Sequence, residues 1–332
     1  MLKKCLLALL ILSLAVAAGC SSGDETAKSA RADLQDVTVM LDWVPNTNHT
    51  GLYVALDKGW YREEGLQVEI IQPAEGGTTQ LVATGKAQFG VGYQEDVTQA
   101  RAGDVPVVSI AAVIQHNTSG FASKRETGIT RGREMEGKRY GGWGSPTEEA
   151  VLKAVVEGDG GDFSKVEILN IGTADFFTAI ERDIDFAWIY YGWTGIEAEQ
   201  RGIKLNFLEL RKLDEALDYY TPVLITSEKL IRENPDLVKK FMRATAKGYE
   251  FAIDHPGEAA RILLKYAPEL DEQLVLASQQ YLSPRYRDDA ARWGEQKAEV
   301  WERYARWMYE RKLLPKMIDV DKAFTNEFLP DR

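Results

Sequence analysis

Residues Val37 to Gly65 read Val-Thr-Val-Met-Leu-Asp-Trp-Val-Pro-Asn-Thr-Asn-His-Thr-Gly-Leu-Tyr-Val-Ala-Leu-Asp-Lys-Gly-Trp-Tyr-Arg-Glu-Glu-Gly. Val37 to Leu41 is short and mostly β-branched, which predicts a strand. Pro45 and Asn46 are turn residues. A helical run is expected from about Asn48, whose side chain can cap it. Gly65 can close that run because it reaches positive φ without steric cost. The unit is therefore strand, acid-plus-aromatic loop, helix. In open α/β sheets, ligands sit just past the carboxyl ends of strands. Asp42, Trp43, Asn46 and His49 are thus candidates to face a ligand. The competing reading makes Trp43 plain core and Asp42 a turn acid.

Working outward, Leu66 to Ile71 alternates as a strand. A polar, Gly-rich turn at Glu75 to Thr79 opens a short helix through Val82. Gln88 to Gly92 is a further strand, with a helix starting at Tyr93-Gln94-Glu95-Asp96, and Val105 to Ile114 is a buried strand. This alternation predicts a parallel-rich sheet covered by helices. Near Ser119 to Lys124 the chain crosses into a second unit. Gly137 to Trp143 is strand-like. Ser145-Pro146-Thr147-Glu148 then starts a helix, with Ser145 as N-cap, Pro146 at the first position and Glu148 closing a capping box. Strands follow at Val166 to Ile171, Phe186 to Tyr190 and Ile203 to Leu210. Val223 to Thr226 marks the crossing back. The rest is helical, with long amphipathic helices over Pro235 to Asp254 and Gly294 to Arg311. Trp293, Trp301 and Trp307 are spaced as a core stripe.

The 332-residue chain is long enough for two domains. Its net charge of −11 argues against nucleic acid and anionic lipid surfaces as partners. Residues 1 to 20 read as a targeting segment, with Lys3 and Lys4 ahead of a short apolar run. Removing those two lysines takes −11 to −13. Leu14 to Cys20 resembles a bacterial lipoprotein box, in which Cys20 would carry the lipid; a plain secretory signal is the alternative. Residues 21 to 35 read as a flexible tether. Cys5 leaves with the leader, so no disulfide or thiol chemistry is expected.

Enzyme motifs are missing: no dinucleotide or Walker glycine loop, no nucleophile elbow, and no Cys/His/acid cluster at metal-ligand spacing. What recurs instead is an aromatic residue with a polar neighbour at strand ends: Asp42-Trp43, Tyr93-Gln94-Glu95, Trp143-Gly144-Ser145, Tyr190-Tyr191-Gly192-Trp193 and Asp218-Tyr219-Tyr220. Aromatic faces stack flat rings, and carboxylates and amides orient a ring that bears amino groups. These loops hold no Arg or Lys, which a strongly anionic ligand would require. The Ser145 helix N-terminus could still hold a modest anion. The expected ligand is small, flat and nitrogen-bearing.

Leu41 to Gly51, Gly59-Trp60-Tyr61, Gly141 to Ala150, Trp188 to Trp193 and Phe324 to Pro330 resemble the ThiY group. These are substrate-binding lipoproteins of ABC importers for a thiamine pyrimidine precursor. The resemblance runs from about Val37 to Pro330. It implies an α/β, periplasmic-binding-protein type II fold: two lobes with mixed sheets, joined by two hinge crossovers. The expected division is 36–118 and 223–332 in one lobe and 119–222 in the other. The implied ligand is N-formyl-4-amino-5-aminomethyl-2-methylpyrimidine, and the implied partners are an ABC permease and ATPase. The implied location is the extracytoplasmic face of the cell membrane, through the Cys20 lipid. No catalytic residue, cofactor or metal is expected, and a monomer is the default. The ligand ring is expected to stack between aromatics drawn from Trp43, Tyr190, Trp193 and Tyr220, with Asp42, Glu95 and Glu148 accepting from its amino groups. Asn46, His49, Tyr93, Ser145, Tyr191 and Tyr219 complete the candidate set. Fungal thiamine-pyrimidine synthases share the superfamily. They carry a cysteine-rich run where this chain has Leu217-Asp218-Tyr219-Tyr220-Thr221, and their cofactor lysine falls at Gly92. Riboflavin carriers share much of the pattern, so a flavin ligand stays open.

Overall fold

The computed structural model describes residues 34–72, 77–172 and 174–331. The leader, Cys20 and nearly all of the expected tether lie outside these residues. The first strand, β1 (Gln35–Met40), takes in one residue of that tether. It is followed by β2 (Leu66–Ile71), β3 (Phe89–Gly92) and β4 (Val107–Ala112). The chain then builds β5 (Ser119–Lys124), β6 (Arg139–Gly142), β7 (Glu167–Asn170), β8 (Phe186–Tyr190) and β9 (Leu205–Glu209). It returns as β10 (Val223–Ser227).

Two five-stranded sheets result, ordered β2-β1-β3-β10-β4 and β7-β6-β8-β5-β9. Both are mixed. In the first, β1 pairs parallel with β2 and β3, and β10 inserts antiparallel between β3 and β4. In the second, β6 pairs parallel with β7 and β8, while β5 runs antiparallel to β8 and β9. The inserted strands are those that follow the two crossings. Val39, Leu41, Phe89, Val91 and Leu224 are wholly buried in the first core, because helices cover that sheet.

The two crossing segments are fastened to each other. Asn117 donates its N–H to Asp218 Oδ1 (3.0 Å) and its side-chain amide to the Leu217 carbonyl (2.8 Å). His116 Nδ1 lies 2.7 Å from Asp218 Oδ2. The Pro235–Asp254 helix starts at Pro235, capped by Asn234, as its pattern implies. The last long helix is shorter than expected, Ala298–Glu310, because Gly294 adopts φ +86° and bridges to Ala112. Trp293, Trp301 and Trp307 are buried, and Trp293 stacks on Tyr249 with centroids 4.2 Å apart. Among the described residues, no helix is long and apolar enough to cross a membrane.

The opening loop differs from expectation in one detail. Asn46, not Asn48, is the cap: its side chain takes the Asn48 N–H at 2.9 Å. A 3-10 turn over Thr47–His49 precedes the α-helix Thr50–Asp57. Asn46 has the extended backbone of a cap residue, which aims its side chain at the N–H groups of the turn that follows. The Thr50–Asp57 helix then lies against Pro235–Asp254 at glycine contacts. A Cβ on Gly248 would run into the Gly51 carbonyl oxygen, which is backbone and cannot swing away. Gly248→Ala is expected to cost about 1–3 kcal/mol by overpacking. A urea titration checks this: the midpoint should fall while the slope stays constant.

Candidate functional site

The carboxyl ends of β1 and β3 in one sheet, and of β6, β7 and β8 in the other, open on the same gap. A cleft of about 540 Å³ lies there, within the usual range for small-molecule sites. Two hollows of about 820 and 950 Å³ are larger. They are lined by the helical flank around Arg243 and by the β1–β2 face, and neither draws on the second sheet. The cleft between the sheets receives strand ends from both, where ligands meet this class of sheet.

The first wall is built on Asp42. Its Oδ1 accepts from His49 Nε2 at 2.6 Å and its Oδ2 from the Tyr93 hydroxyl at 2.5 Å. His49 Nδ1 accepts the Asn46 N–H at 3.2 Å, so the ring proton is on Nε2. Burial acts to raise the Asp42 pKa. The His49 imidazole and the hydrogen bonds from His49 and Tyr93 outweigh it, leaving the carboxyl below its ordinary value. Asp42 and His49 are therefore structural partners behind the wall, while Trp43, the next residue, stands 51% exposed on the cleft.

The second wall is built on Glu148. It accepts from the Tyr140 hydroxyl (2.6 Å) and from the N–H groups of Trp143 (3.1 Å), Gly144 (3.0 Å) and Ser145 (3.3 Å). The capping box legible in the sequence forms, and it is half of a larger knot. Gly142 permits it, since a Cβ there would strike the Glu148 carboxylate, and Gly144 turns the loop at φ +83°. Trp143 is left 47% exposed, leaning on Trp188 with centroids 5.5 Å apart. Glu148 is engaged by four protein donors.

Three further groups come from the Gln94–Ala102 helix: Glu95, Asp96 and Gln99. Glu95 Oε1 receives one long bond from the Tyr219 hydroxyl (3.4 Å), and its Oε2 is buried without a partner. Burial, then the neighbouring Asp96 charge, push Glu95 up to about 8. Asp96 opens into the cleft between protein walls. Loss of solvent, then Asp42, push it up to about 6. Gln99 Nε2 donates to Thr147 Oγ1 (2.6 Å), a bond from the first wall to the second. Tyr190, at the end of β8, has its hydroxyl pKa raised by burial and then by Glu95. Among the described residues, no group of three His, Cys, Asp or Glu side chains could hold a metal ion.

Of the thirteen sequence candidates, Trp43, Tyr93, Glu95, Ser145, Glu148 and Tyr190 line the cleft. The others lie elsewhere. Asn46 is a cap. Tyr191 packs on Phe207 and Tyr281, with its hydroxyl on Glu199. Trp193 packs against the first core and borders a void of about 20 Å³. Tyr219 is fully buried against Tyr304, with centroids 4.3 Å apart. The Tyr220 hydroxyl accepts the Lys297 N–H at 2.9 Å. Asp96, Gln99, Thr147 and Trp188 line the cleft without having been singled out as site residues. Trp188 carried a usable signal: it sits two residues before Tyr190 on one strand, hence on the same face.

The NMT1/THI5-like family model matches residues 46–259. The formylaminopyrimidine-binding protein of Halalkalibacterium halodurans is 30% identical over 96% of this chain and 97% of its own length. A 4-amino-5-hydroxymethyl-2-methylpyrimidine phosphate synthase of Legionella pneumophila is 26% identical over 89% and 92%. The riboflavin-binding protein RibY of Chloroflexus aurantiacus is 27% identical over 99% of each chain. Among solved structures, the alkanesulfonate-binding protein SsuA from Xanthomonas axonopodis pv. citri, bound to MOPS, superposes with a TM-score of 0.66. It is 14% identical and covers 89% of this chain and 99% of its own. With the mixed sheets and double crossing, this likeness identifies the periplasmic-binding-protein type II fold.

The Glu95 environment makes a pH prediction. Its folded pKa stands above that of the unfolded carboxyl, so the folded state holds the proton more tightly. The stabilisation is complete below pH about 4.5 and is lost as pH rises toward about 8. Glu95→Gln, which cannot ionise, is expected to flatten the fall in Tm across that window. Tm measured against pH for both proteins checks it.

Proposed function

The chain belongs to the NMT1/THI5-like family, and from that premise we propose that it is the substrate-binding component of an ABC importer for a thiamine pyrimidine precursor. The ligand we propose is N-formyl-4-amino-5-aminomethyl-2-methylpyrimidine, delivered to the permease unaltered. The observation that carries the reading is the pair of tryptophans. Trp43 and Trp143 come from different sheets, remain about half exposed, and border one cleft whose lining contains no Lys or Arg. Exposed indoles held in place by buried hydrogen bonds lose little entropy on stacking a flat ring. Tyr93, whose proton is committed to Asp42, presents its oxygen as an acceptor to an amino group.

In this reading, residues 36–118 with 223–332 form one lobe and 119–222 the other, closing by hinge motion about the His116–Asp218 crossing. Glu148 and Asp42 shape the walls. Trp43, Tyr93, Glu95, Ser145 and Tyr190 touch the ligand. Cys20 carries a lipid that holds the protein at the extracytoplasmic face of the membrane, as a monomer beside its permease. A flavin is the second reading, favoured by the full-length likeness to a riboflavin-binding protein.

Calorimetric titration with the formylaminopyrimidine tests the assignment. Trp43→Ala and Tyr190→Ala are each expected to weaken binding about tenfold, which corresponds to about 1.4 kcal/mol. Unchanged affinity in both variants would show that the ring does not bind here. Tighter binding of riboflavin than of the pyrimidine would favour the second reading.

A further inference from the structure

In open α/β folds an anion is ordinarily received at a helix N-terminus, on free backbone N–H groups. Three helices start at this cleft, Gln94–Ala102, Pro146–Gly158 and Phe176–Arg182, and in each the chain's own carboxylates occupy that end, Asp175 capping the last. At Pro146–Gly158, Glu148 takes the N–H groups of Trp143, Gly144 and Ser145. At Gln94–Ala102, the first turn carries Glu95 and Asp96. The lining holds no Lys or Arg to offset them. The remaining acids are not equivalent. Asp42 is matched by His49 and Tyr93, and Glu148 by four donors. Glu95 is tied to Tyr219, with its other oxygen shut away. Asp96 alone is open to the cleft, and among the described residues it has no hydrogen bond or ion pair.

We infer that the cleft selects its ligand by charge and that Asp96 is the selecting group: flat heterocycles carrying an amine or other cationic nitrogen are favoured, neutral ones are accepted, and phosphate monoesters are rejected. This rests on the pyrimidine reading above and narrows it. Like charges confined in a half-dry cleft repel far more strongly than in open water, while an ammonium beside an unpaired carboxylate gains on the same account. The phosphate ester of the 5-hydroxymethyl analogue of this pyrimidine, the compound in the name of the Legionella relative, would be excluded.

Three probes sharing one ring separate the possibilities: the free aminomethyl compound, its neutral N-formyl derivative, and the hydroxymethylpyrimidine phosphate. Each is titrated calorimetrically into the wild type, Asp96→Asn and Asp96→Ser near neutral pH, with Tm confirming that both variants fold. In the wild type, the phosphate is expected to bind about a hundredfold more weakly than the N-formyl compound. Both variants should weaken the amine about tenfold, strengthen the phosphate, and leave the N-formyl compound within about threefold. The same titrations at two salt concentrations should show the amine weakening with salt in the wild type only. The titratable groups that feel the Asp96 charge, Asp42, Glu95, Tyr190 and Tyr304, and Tyr93 on the cleft wall are present in all three proteins, so the difference isolates position 96. A phosphate that binds as well as the neutral compound would overturn the inference and leave the pyrimidine reading standing. So would variants that shift all three probes alike. If none of the probes binds the wild type, the pyrimidine reading falls and the inference falls with it.

Discussion

Two buried carboxylates hold this cleft in shape, one in each sheet. Asp42 joins the loop after β1 to the tyrosine after β3, and Glu148 gathers the loop after β6 onto the start of the next helix. Each is satisfied almost entirely by neutral donors, so neither needs a cation in the cleft. Leaving either carboxylate without partners would cost several kcal/mol of desolvation. The partners and the loops they belong to are therefore held together. Near each acid the chain leaves a tryptophan about half exposed on the cleft.

The fold supplies what these two knots lack, which is opposition. Each sheet points its parallel strands' carboxyl ends at the other. The returning strands β5 and β10 enter antiparallel, starting beside Tyr190 and Gly92, so both crossings join the sheets at the strand ends that open on the cleft. His116 and Asn117 on one crossing bind Leu217 and Asp218 on the other. The Gln99–Thr147 hydrogen bond joins the two walls at their helix starts.

Much of this was legible in the sequence. The range Leu66–Ile71 follows from alternation, Phe186–Tyr190 from its aromatic run, and Pro235–Asp254 from cap, proline and periodicity. The Asp42–Trp43 loop and the Ser145–Glu148 box are local features, written within a few neighbouring residues. What escaped reading depends on distant packing. Tyr219 and Tyr220 look like Trp43 in sequence, an aromatic with a polar neighbour at a strand end. The Pro235-to-C-terminal region covers them with Tyr304 and Lys297, and nothing near position 219 announces that. Asp96 carries no signal of its own in the sequence, since an acid in a first helical turn has a local explanation. Only the second sheet, brought opposite it, makes that exposed carboxylate part of a cleft wall.

The most direct measurement is amide hydrogen exchange of the protein with and without the formylaminopyrimidine. Binding should slow exchange together in Trp43 to Asn46, Tyr93 to Gln99, Trp143 to Glu148 and Trp188 to Trp193, drawn from both sheets at once. Protection confined to one sheet, or to the flank around Arg243 and Arg292, would contradict a cleft that closes on its ligand from both sides.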